Sequence, residues 1–140
     1  MKKIIGLLLV AAASLLGTAA RAQDFGVRAT VPFDFVVHGK VYPAGQYTIL
    51  PALEGTRALS IRSEDGNGTK IVMSDLCAST EPARQTKLVF SRAGDSYFLH
   101  EIWIEGRDYG RSFPKTKAEI EMASNQVKAE TVVVAARITR

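Results

Sequence analysis

The stretch from Lys87 to Ile104 is the densest run of β-branched and aromatic residues in the chain, and it is broken once, at Gly94-Asp95. Such residues suit a pleated, half-buried surface, and a glycine-containing turn folds the run back on itself, so it reads as one β-hairpin. Two registers fit it. With Gly94-Asp95 alone as the loop, Arg92 faces Tyr97, Phe90 faces Leu99 and His100 lies opposite Val89. With Ser96 added to the loop, Leu88 meets Ile102, Phe90 meets His100 and Arg92 meets Phe98. A one-residue slip exchanges the two faces of a strand, and both registers leave sound apolar pairs.

The rest of the chain reads as strands added to this hairpin. Val31-Pro32-Phe33-Asp34-Phe35-Val36-Val37 puts Val31, Phe33, Phe35 and Val37 on one face, with Pro32 predicting a late start or an edge position. His38-Gly39-Lys40 and Pro43-Ala44-Gly45 are turns, and strands are expected over Gln46–Leu50 and Arg57–Ser63, the latter with Leu59 and Ile61 inward. Glu64-Asp65-Gly66-Asn67-Gly68 supplies the positive φ angles of a tight loop. Asn67-Gly68-Thr69 also fits a glycosylation acceptor, but the turn accounts for the same residues. Lys70 to Cys77 is expected as one strand. Turn signals recur about every 8–12 residues, the rhythm of an antiparallel sandwich or barrel. Near the end, Thr116-Lys117-Ala118-Glu119 matches a capping box. It predicts one short helix over about 116–124, lying on the sheet as a lid through Ile120, Ala123 and Val127. A last strand over about 131–136 follows, apolar on both faces. The expectation is an all-β fold, an antiparallel β-sandwich or small barrel with one short C-terminal helix.

The N-terminus carries an address. Lys2 and Lys3 precede an apolar run from Ile4 to Leu16, followed by small residues at Ala20 and Ala22. A short basic region, an apolar stretch too short to span a bilayer and an A-x-A site make residues 1–22 a secretory signal peptide cut after Ala22. What remains, residues 23–140, suffices for a single β-rich domain without a membrane span, secreted or periplasmic. Lys2, Lys3 and Arg21 leave with the signal, so the formal charge falls from +4 to +1. The remaining bases are scattered among acids, which argues against a nucleic-acid partner. Cys77 is the only cysteine. No internal disulfide can form, and the thiol is expected as a small buried hydrophobe.

Chemistry-bearing motifs are sparse. His38 and His100 lack the tight spacing of a metal site, and no cofactor is implied. No G-x-S-x-G or equivalent supports a catalytic triad, and Gly66-Asn67-Gly68-Thr69-Lys70 lacks the spacing of a phosphate loop. One constellation has recognition chemistry: Trp103 with Arg107, Asp108, Tyr109, Arg111 and Phe113. Aromatic faces beside forked donors can stack on a polysaccharide or engage an anionic polymer or another envelope protein. The plainer account is that Trp103 and Phe113 pin the loop while its charges are solvated.

Val31-Pro32-Phe33-Asp34-Phe35 with Pro43-Ala44-Gly45-Gln46-Tyr47-Thr48, then Ile61-Arg62-Ser63 and Lys87-Leu88-Val89-Phe90 with Gly94-Asp95-Ser96-Tyr97-Phe98-Leu99, resembles a family of small secreted β-rich proteins of unknown function, abundant in acidobacterial genomes. The resemblance covers most of the mature chain and implies a bacterial envelope or extracellular setting. It brings no catalytic residues. The function expected is binding or structural association in the envelope without catalysis. The alternatives are a barrel for a small apolar ligand and, third, an unrecognised hydrolase.

Overall fold

A computed structural model describes residues 26–139. The expected signal peptide and its cleavage site after Ala22 lie outside the described residues. The elements in order are β1 (Gly26–Val31), β2 (Phe35–Val37), β3 (Lys40–Tyr42), β4 (Gly45–Pro51), β5 (Ala58–Ser63), β6 (Thr69–Met73), β7 (Asp75–Ala78), β8 (Lys87–Ala93), β9 (Ser96–Trp103), β10 (Tyr109–Ser112), α1 (Lys117–Ser124) and β11 (Ala129–Thr139). The strands make one sheet in the order β3-β2-β9-β8-β11-β1-β4-β5-β6, with β10 joining β7 to the far end of β9. It is antiparallel except where β2 meets β9, and it curls into a half-barrel.

Both registers of the central hairpin occur in one hairpin. Next to the turn, where Gly94 sits at φ +60°, Ala93 pairs with Ser96, Arg92 with Tyr97 and Phe90 with Leu99. Then the register shifts by one, and Val89 pairs with Glu101, Leu88 with Ile102 and Lys87 with Trp103. His100 is the extra residue of this β-bulge, which re-aims the strand beyond it. The shift lets Leu99 and Ile102, three residues apart, share the inner face with Phe90 and Leu88, and all four are buried.

Two expected strands divide. Val31, Phe35 and Val37 are buried and Phe33 packs against them, as their alternation requires. Pro32 has no N–H for the ladder, however, so the chain leaves β1 there and resumes as β2 beside β9. Lys70–Cys77 is likewise not one strand but β6 and β7. Buried Ser74 pins the corner, its backbone N–H and its hydroxyl both donating to the carbonyl of Arg57, at 3.0 and 2.9 Å. As a result Ile71 and Met73 are exposed on the outer side of an edge strand, and Leu76 is exposed on β7.

Thr116 caps α1 as expected: its hydroxyl accepts from the Glu119 N–H, while the Glu119 carboxylate accepts from the Thr116 N–H. The helix does not dock through Ile120, Ala123 and Val127, which are all exposed. It docks through Glu119, buried and bonded to His100 Nε2 at 2.5 Å. The bulge that frees His100 from pairing with β8 thus supplies the helix with its partner. β11 is longer than expected and lies in mid-sheet, against β8 along one edge and β1 along the other. Its inward residues Val132, Val134 and Ala136 join the core, while Val133 on the opposite side is 48% exposed.

The interior has two unlike ends. At one, six rings interlock: Phe33 stacks on Tyr97 with centroids 3.8 Å apart, Phe35 on Tyr42 at 5.1 Å, and Phe90 and Tyr47 meet them edge-on. At the other end β1, β4, β5 and the end of β9 present Val27, Ile49, Leu59, Ile102 and Ile104, with no ring among them.

Candidate binding site at the aliphatic end

Alternation along β10 sorts the residues singled out in the sequence. Gly110 pairs with Trp103 on the outer face, and Arg111 pairs with Ile102 on the inner face, which carries Tyr109 as well. The outer pairing requires glycine: a Cβ at position 110 would lie 2.6 Å from the Ile102 carbonyl and 3.0 Å from the Trp103 ring. Trp103 is held flat there, its indole N–H donating to Glu101 Oε2 at 2.7 Å. The set expected as one surface is therefore split by the sheet. Arg107, Tyr109 and Arg111 come together at the interior, Trp103 stands outside, Phe113 is buried in the core and Asp108 is exposed.

The loop between β9 and β10 is fixed by its backbone. Ala83 N–H donates to the Arg107 carbonyl at 2.9 Å, Gly106 N–H to the Ala83 carbonyl at 2.9 Å and Ser79 N–H to the Asp108 carbonyl at 2.7 Å. The hydroxyl of buried Thr86 accepts from the Glu105 N–H at 3.1 Å. A loop tied at four points presents its side chains in a set geometry, as recognition requires.

The hollow that these side chains rim has a volume of about 220 Å³. Val27, Ile49, Leu59 and Ile102 make its floor, Pro51 and Ile104 its walls, and Arg107, Tyr109 and Arg111 its mouth. Arg107 Nη1 donates to the Tyr109 hydroxyl at 2.9 Å, its guanidinium lying 5.4 Å from the ring centre. The Arg111 side chain has no hydrogen-bond or ion-pair partner among the described residues, and no lining residue carries a carboxylate. The Arg111 guanidinium at the mouth of an apolar hollow creates a positive potential that bulk water screens poorly, which favours an anion with an apolar tail. The floor residues come from β1, β4, β5 and β9, so no local motif could have announced the site.

The remaining titratable groups lie elsewhere. The outer groove beside Trp103 is larger, about 650 Å³, but it is open and its rim mixes Glu81, Arg84, Lys87 and Glu101. His38 contacts the Met73 carbonyl through Nε2 at 2.6 Å, and His100 lies between Glu119 and the Phe113 carbonyl, so the two histidines are not brought together. Cys77 is half-buried on β7 rather than buried, and burial first and the nearby Glu101 second push its thiol up from the ordinary range. Among the described residues no three potential metal ligands cluster. No protein-family model, no curated protein and no solved structure matches the chain.

Proposed function

We propose that this is a secreted or periplasmic domain of the bacterial envelope that acts by binding rather than by catalysis, and that its binding site is the aliphatic end of the half-barrel. One observation carries the reading: an apolar hollow, about 220 Å³, whose mouth is lined by cationic and phenolic donors on a loop held at four backbone points. Apolar lining with a few convergent polar groups is the usual composition of a small-molecule site. The sheet is then best understood as an incomplete barrel. The free edges of β3 and β6 approach each other through Lys70 Nζ, 4.6 Å from the Tyr42 ring centre, and through the contact of His38 with Met73.

Octan-1-ol, a neutral apolar probe small enough for the hollow, tests the location by titration calorimetry. Its binding to the folded protein should be lost with Ile104→Trp, which fills the hollow, and persist with Trp103→Ala on the outer face. Loss with Trp103→Ala and persistence with Ile104→Trp would move the site to the outer groove.

A second reading, structural association, rests on the exposed Val41, Ile71 and Met73 beside the unpaired edges of β3 and β6, because an apolar free edge recruits strands. Sedimentation of the wild type and of Ile71→Lys decides it. A self-association that Ile71→Lys abolishes would support this reading.

A further inference from the structure

Resting on the reading that the aliphatic end is a binding site, we propose that its ligand is a medium-chain carboxylate: an unbranched alkyl tail of about six to eight carbons, inserted tail first, with its carboxylate on Arg111 and Tyr109. Three properties of the hollow converge on this class. The first is size. About 220 Å³ is the liquid volume of roughly seven waters and falls below the roughly 300–1,000 Å³ of sites for drug-sized molecules. It holds a short tail, not a long acyl chain or a fused ring system.

The second is the lining. Val27, Ile49, Leu59 and Ile102 are side chains of the buried core and offer no hydrogen bond, so the inserted part of the ligand has to be hydrocarbon. The third is the chemistry of the mouth. The guanidinium of Arg111, with no partner among the described residues, presents the forked donors that match a planar carboxylate. The Tyr109 hydroxyl accepts from Arg107, which leaves its own hydrogen to donate to the second carboxylate oxygen. Neighbouring strands back this arrangement: Arg111 pairs with Leu76 on one side and with Ile102 on the other, so its backbone is fixed between β7 and β9.

Titration calorimetry with octanoate and octan-1-ol as probes tests the proposal on the purified chain. Octanoate should bind at least about 10-fold more tightly than the alcohol, since a hydrogen bond to a charged group is worth that much. From butanoate to octanoate each methylene should tighten binding about 4-fold, and the gain should stop once the hollow is full. Arg111→Gln should bring octanoate down to the alcohol's affinity without altering binding of the alcohol. Arg84→Gln, in the outer groove, should change neither. If acid and alcohol bind equally and Arg111→Gln has no effect, the carboxylate inference fails while the apolar site stands. If neither probe binds the folded wild type, or if Ile104→Trp leaves the binding of both intact, the inference falls together with the site.

Discussion

The two ends of the half-barrel share strands β4 and β9 and solve the packing problem in opposite ways. β4 contributes Tyr47 to one end and Ile49 to the other, and β9 contributes Tyr97 to one and Ile102 to the other. Rings bury large areas and interlock edge to face, so six of them fill the first end. Branched aliphatic side chains are shorter and leave the second end unfilled by about 220 Å³. Under the proposed function, stability and recognition are placed at opposite ends of one continuous core.

The most drastic way to break this comparison is to remove a strand from the middle of the sheet. Truncation after Asn125 deletes β11 and leaves β8 and β1 each with a free edge in mid-sheet, so cooperative unfolding should be lost, as circular dichroism in urea would show. Next in size are single substitutions, one at each end. Phe90, 1% exposed and touching two rings, should cost about 3–5 kcal/mol when changed to alanine. Ile104 at the open end is only partly buried, and its change to alanine should cost about 1 kcal/mol. Equal costs in urea titrations would mean that the open end is as tightly packed as the ringed one.

Filling the gap should reverse the sign. Ile104→Phe should stabilise the fold by about 0.5–1 kcal/mol and weaken binding of an apolar probe, the trade-off expected where a site is held open.

A smaller effect is expected inside the ringed end. Among the described residues the Tyr42 hydroxyl is the buried side-chain polar atom without a hydrogen-bond partner, so Tyr42→Phe should be neutral or stabilising by up to about 1 kcal/mol. The same ring gives a pH test. Burial above all holds the Tyr42 and Tyr47 hydroxyls above their ordinary value, with Tyr47 acting on Tyr42, and Asp65 and Asp34 acting on Tyr47. The folded state therefore keeps these protons longer than the unfolded state does. Their contribution is complete below about pH 10 and is lost as pH rises further. Urea titrations between pH 9 and 11 should show that decline, and Tyr42→Phe should make it shallower. Smallest of all, Cys77→Ser should change stability by no more than about 0.5 kcal/mol, as for a surface-like position. Wild type and variant should run alike on non-reducing gels.

The sequence made parts of this fold legible and hid others for physical reasons. Alternation in Val31–Val37, the Asp-Gly and Asn-Gly turns and the capping box at Thr116 are local signals, and they hold. The central hairpin left two registers open because each is correct over half of its length. The bulge at His100 breaks no composition rule, and its reason, the bond to Glu119, lies nineteen residues away. The divisions at Pro32 and Ser74 depend on which neighbour each half finds. Arg107, Tyr109 and Arg111 stood out by residue type, but the inward turn of β10 that separates them from Trp103 depends on the pairing of Gly110 with that tryptophan. The floor could not be anticipated, since Val27, Ile49 and Leu59 are indistinguishable from other core residues until the sheet curls.

The pairing of β1 with β11, Gly26 against Thr139 and Ala29 against Ala136, also has a kinetic consequence. β1 and β11 lie side by side in the middle of the sheet, so the ladder stays open between β8 and β1 until a loop of about a hundred residues closes. That closure must be made before those contacts return any free energy, which makes folding slow.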